Sequence, residues 1–176
     1  MDGKTKRLNF KKLEELNIFP NIKFKMVIGD ETNYKNIFKE NLDIVNRYII
    51  LDVDNCVHDQ ETRTQRIRTL IESKKTKHIT YYNNYAFETF LLNHIYMFAK
   101  PIGKKEEYDK DMNKHFGVKS WSNNKDERQI NMLMEKITDQ SFNIVLENIK
   151  NIHKNNCFEN PSSNMRLLFD VISRIE

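Results

Sequence analysis

Two aspartates one residue apart, Asp52 and Asp54, close the apolar run Tyr48-Ile-Ile-Leu-Asp-Val-Asp54, and Asn55 and Cys56 follow. On a strand, alternate residues share a face, so both carboxylates project together from its carboxyl end. Open α/β sheets hold their ligands at that edge. Two ionised carboxylates so close repel each other, and a divalent cation relieves the repulsion. The pattern predicts half of a hard-metal site, with metal-assisted phosphoryl chemistry as the reaction class. Acidic residues that merely solvate a strand end are the competing explanation.

Other acids bear on the same site. Gly29-Asp30-Glu31 follows a second expected strand, and a metal with octahedral demands wants carboxylates from more than one element. Either Asp30 or Glu31 can serve, and a polar turn explains the segment equally well. Glu88 lies inside the apolar segment Ala86-Phe-Glu-Thr-Phe-Leu-Leu-Asn-His94. A buried glutamate is costly alone, so Glu88 either reaches solvent or meets a cation or donor. His94, six residues on, is off that helix face, and a core or surface role explains it. His58, beside Asp59, is a candidate proton carrier, with an ordinary loop histidine as the alternative. Lys74, Lys75, Lys77, Lys104 and Lys105 are candidate phosphate contacts. Tyr81, Tyr82 and Tyr85 are candidate base-stacking side chains, against packing in the core.

The elements that must carry these residues follow from periodicity. Residues 6–16 read as an amphipathic helix through Leu8, Leu13 and Leu16. Residues 22–28 alternate as a strand, through Ile22, Phe24, Met26 and Ile28. A turn and a short helix, 32–40, come next. Residues 48–53 read as a strand buried on both faces, which predicts a parallel sheet covered by helices. A helix over 62–73 would turn Ile67, Leu70 and Ile71 inward. A third strand spans 78–82. An apolar helix over 86–98 would end at Pro101 and Gly103. Residues 103–128, with Trp121, read as a loop or short-helix excursion. Helices are expected at 127–137, 139–154 and 164–175, the last behind the turn Asn160-Pro-Ser-Ser-Asn164, with Ser or Asn as its N-cap. The order βαβαβα followed by helices predicts an α/β fold with a helical C-terminal part.

Bulk properties set the outer limits. A chain of 176 residues favours one domain, 1–176. With 29 basic and 25 acidic residues the net charge is +4, which permits nucleic-acid binding without demanding it. No window reaches the roughly 20 apolar residues of a membrane span. The first residues lack the apolar core of a signal peptide. Cys56 and Cys157 have no metal-ligand spacing and read as free thiols of a cytoplasmic protein. Four glycines form no phosphate loop.

Four segments in order resemble RloB-like proteins, a branch of the Toprim fold. Residues 22–38 resemble that family's first strand, acidic-glycine turn and helix, with Gly29, Thr32 and Phe38 in place. Tyr48–Asp54 resembles its strand ending in Asp-x-Asp. Asn84–His94 is similar to its Asn-Pro-x-Phe-Glu-x-Trp-Leu-Leu-x-His segment, with Tyr85 for Pro and Phe90 for Trp. Asn160–Asn164 is similar to its Asn-Pro-Ser-Thr segment. The resemblance implies a mostly parallel sheet between helices, Mg²⁺ (or Mn²⁺) on acidic residues, and phosphodiester chemistry on DNA or RNA. It also implies a setting in defence against phage or mobile DNA, with a partner protein of that system. It implies site roles for Asp52, Asp54 and Glu88, and lesser ones for Asn84 and His94. The family's first-turn glutamate is Ile28 here, so Asp30 or Glu31 must substitute, or the domain is a degenerate binding or regulatory module. A phosphatase of the haloacid dehalogenase type is a further alternative, with Asp52 as nucleophile and Asp54 as acid/base. Cys56 stands where that family has Thr, and Gly29-Asp30 precedes the motif it should follow.

Overall fold

The apolar run at residues 48–52 does form a strand, β1 (Tyr48–Asp52). It runs parallel to β2 (Ile79–Asn84), with Tyr48 opposite Ile79 and Asp52 opposite Asn83. A two-residue strand, β3 (Ser162–Ser163), pairs antiparallel to the end of β2 through Asn83 and Asn84. The sheet is therefore mixed, in the order β1-β2-β3. The computed structural model describes residues 2–27, 36, 39–40, 46, 48–53, 60–61, 63–65, 67–68, 79–123, 125–152 and 161–175.

Helices dominate the rest of the described chain. They are α1 (Asp2–Glu15), α2 (Phe87–Leu92), α3 (Asp109–Phe116), α4 (Glu127–Glu135), α5 (Asp139–Asn151) and α6 (Met165–Ile175), with a 3₁₀ turn at Lys105–Tyr108. The fold is mixed α/β around a small sheet. Helix α1 buries Phe10 and Leu13. It stops at Asn17, which takes the left-handed region (φ 54°), and Ile18 N–H returns to the Leu13 carbonyl. That closes the orphan carbonyls of the last turn. Asp126 caps α4 by accepting from Gln129 N–H. Thr138 and Ser141 form a reciprocal capping box on α5.

Several expectations need correction. Residues 22–27 alternate between half-buried and exposed as a strand would, yet they pair with no strand among the described residues. Phe24 N–H donates instead to Glu14 Oε1 on α1, so the segment lies along a helix rather than in the sheet. Strand β1 is only partly covered, since Tyr48, Ile50 and Leu51 are half-buried. The apolar helix is much shorter than 86–98. Asn93 ends it after Leu92, with its Nδ2 donating to the carbonyls of Thr89 and Phe98 and its Oδ1 accepting from Phe98 N–H. A short polar side chain has captured the main chain, so neither Pro101 nor Gly103 ends the helix. Ile67 was expected to face inward and is 38% exposed. Most of the helix expected at 32–40, and Leu70, Ile71, Cys56 and Cys157, lie outside the described residues.

Candidate functional site

The carboxyl ends of β1 and β2 bring Asp52, Asn83 and Asn84 to one edge of the sheet, and α2 starts three residues beyond Asn84. Asp52 sits there with 6% of its surface exposed. Its Oδ2 meets Lys6 Nζ of α1 at 2.8 Å, and Lys6 is itself only 12% exposed. The same ammonium lies 5.9 Å from the centre of the Phe87 ring. Burial removes the water that would weaken the attraction between the two groups.

Glu88 is buried in the first turn of α2. Its Oε1 accepts from Trp121 Nε1 at 2.7 Å and from Lys125 Nζ at 2.5 Å. Lys125 also stands 5.3 Å from the Trp121 ring centre. The glutamate thus meets both a cation and a donor, one of the two outcomes its apolar setting allowed. Both carboxylates act on Tyr108. Burial raises that hydroxyl's pKa most, while the charges of Glu88 and Asp52 raise it further. Tyr108 stays protonated, accepts from Ala86 N–H and lies 2.6 Å from Thr89 Oγ1, which donates to the Asn84 carbonyl. This chain of hydrogen bonds fastens the start of α2 to the end of β2.

Asn83 receives the Ser163 hydroxyl on Oδ1 at 2.8 Å. Asn84 keeps its place at the strand end, and its peptide bond to Tyr85 is cis. His94 lies away from this edge, in the core. Its Nδ1 pairs with Ser141 Oγ at 3.2 Å, and its ring packs edge-on against Phe90. Burial lowers its pKa to about 3, so it is neutral at physiological pH. Tyr81, Tyr82 and Tyr85 are buried too. Packing therefore explains them and base stacking does not. Lys104 and Lys105 introduce the 3₁₀ turn. Asp30, Glu31, Asp54, His58, Lys74, Lys75 and Lys77 lie outside the described residues.

Three partners were missed by sequence reasoning. Lys6 carried a signal: it precedes Phe10 and Leu13 by four and seven residues, on the buried face of α1. Trp121 and Lys125 sit in an aperiodic segment that offered none.

Carboxylates at this edge are suitable donors for a hard cation. Among the described residues no group of three or more His, Cys, Asp or Glu side chains is placed to hold one. Asp52 is engaged by Lys6, so an ion binding this carboxylate competes with an ammonium already in contact. No helix of the described residues is long and apolar enough to cross a membrane. No family model, no curated protein and no solved structure matches the chain.

Proposed function

We propose that this chain is a nuclease-derived domain of the RloB-like, Toprim type, acting on nucleic-acid phosphodiesters with Mg²⁺ or Mn²⁺ in defence against phage or mobile DNA. The observation that carries the reading is Asp52, a buried carboxylate at the carboxyl end of a parallel strand. Asp52 and Asp54 are the metal ligands in this reading, and Asp30 or Glu31 completes the set. Glu88, tied to Lys125 and Trp121, orients the site from α2. When bound, such an ion neutralises charge on the phosphate and activates or orients the nucleophile.

One observation favours a second reading. The Lys6–Asp52 pair already balances the charge a metal would balance. That supports a degenerate module that binds or regulates without cleaving, in line with Ile28 at the first turn. Titration of Mg²⁺ and Mn²⁺ against end-labelled DNA and RNA separates the two. The nuclease reading expects metal-dependent cleavage that Asp52→Asn abolishes, since the variant keeps size and loses charge. Cleavage retained in full by Asp52→Asn rejects the assignment. Oligonucleotide binding without cleavage by the parent chain supports the module.

A further inference from the structure

A second feature lies on the neighbouring face of α1. Arg7, Lys11 and Glu14 recur at i, i+4 and i+7, so they form one stripe along the helix. The extended run at 22–27 lies against that stripe, held by the Phe24 N–H bond to Glu14. Between them is a groove of about 330 Å³ lined by Arg7, Lys11, Glu14, Phe24, Lys25 and Met26. Arg7, Lys11 and Lys25 are exposed, while Phe24 and Met26 are half-buried beneath them. Three cations thus face one carboxylate, and that carboxylate is bound to the main chain. Lys11 also reaches the exposed Glu15 at 3.8 Å, a pairing that water and salt weaken readily.

We infer that this groove binds the phosphate backbone of a single nucleic-acid strand. Arg7 and Lys11 are spaced by about 6 Å along the helix axis, and Lys25 adds a third charge from the opposite wall. Two cations therefore stand along the helix and a third lies on the extended run across from them. Phe24 packs edge-on against Phe10 and Phe19, so the charges carry the binding, and a positively charged groove that tracks the backbone is how single strands are held without sequence preference. The inference deepens the nuclease-derived reading and rests on it for the choice of nucleic acid.

The test is fluorescence anisotropy of the full chain with labelled single-stranded 20-mers of DNA and RNA across a salt series. The variant is Arg7→Glu, Lys11→Glu and Lys25→Glu together. The control reverses Lys110, Lys136 and Lys150 on exposed surface elsewhere, an equal change in net charge. Circular dichroism verifies that both fold. The groove variant is expected to bind at least about tenfold more weakly. Its slope of log K against log salt should be shallower by about 2, close to 0.7 for each phosphate left without its cation. The control retains the parent slope. Equal losses in both variants, an unchanged slope in the groove variant, or polyglutamate binding as tight as the oligonucleotide overturns the inference. Binding is read on the parent chain without divalent metal and cleavage in the metal titration, so failure of the groove and failure of the cleavage reading remain distinguishable.

Discussion

Lys6 and Asp52 show how one side chain decides what an edge of the fold can do. Both are largely buried and 2.8 Å apart. Lys6→Met keeps the chain length and removes the charge, leaving a buried carboxylate short of its ammonium. A loss of about 3–5 kcal/mol is expected from breaking one side of such a pair. Urea denaturation measures it, and adding Asp52→Asn to the same variant should recover part of the loss. His94 makes a different prediction at this scale. Its folded pKa is about 3 against an ordinary 6.5. Between those values the unfolded chain takes up a proton that the folded chain refuses, so stability falls as pH drops below about 6.5 and the loss levels off near pH 3. The slope approaches at most about 1.4 kcal/mol per pH unit for one proton. Urea midpoints from pH 7 to 4.5 should fall more steeply for the parent than for His94→Gln, and parallel profiles would refute it. Glu88 was legible in the sequence as a charge needing a partner. Lys125 was not, because nothing in its neighbours' pattern marks it as inward.

At the scale of elements, Asn164 does more than end a turn. Its Oδ1 accepts from Tyr82 N–H at 2.6 Å, its Nδ2 donates to the Thr80 carbonyl, and its own N–H donates to the Tyr82 carbonyl. One residue thus extends the short β3 pairing along β2, with a side chain imitating a strand's main chain. Ser163 Oγ accepts from Met165 N–H and so closes the start of α6. The sequence marked the segment as a turn with Ser or Asn capping, and Ser163 fits that. It did not mark the strand pairing, since two serines have little strand preference and the pairing is 80 residues distant in sequence. Asn164→Ala removes the acceptor for Tyr82 N–H beside a buried strand and should cost about 1–3 kcal/mol. Amide exchange of Tyr82, followed by NMR, should quicken well beyond that of Val53, whose N–H bonds to the Asn83 carbonyl. The run at 22–27 teaches the opposite lesson. Its alternation was legible and real, but period-2 burial records which side chains face inward and not which main chain, if any, lies alongside.

Phe169 ties these elements into a whole. From α6 its ring meets Phe10 of α1 at 6.1 Å, Phe19 at 6.1 Å, Phe90 of α2 at 5.8 Å and Phe142 of α5 at 5.1 Å. Three regions far apart in sequence, around residues 10–19, 90 and 142, therefore share one side chain, which periodicity within any single helix cannot reveal. The ring is 1% exposed, so nothing but neighbouring protein can fill its volume. Phe169→Ala should cost about 3–5 kcal/mol, as for other buried aromatics cut to alanine. Phe169→Leu refills most of the space and should cost clearly less. Trp121, the chain's one tryptophan, lies in the turn between α3 and α4 and holds Glu88 of α2. Its fluorescence thus reports on the site, while far-UV circular dichroism reports on the helices together. If the described elements form one cooperative unit, as the shared aromatic core argues, the two signals fall together in the parent and shift together in Phe169→Ala. A tryptophan transition that stays at its original urea concentration while the helices melt early would show that the Asp52–Glu88 edge is held independently of this core.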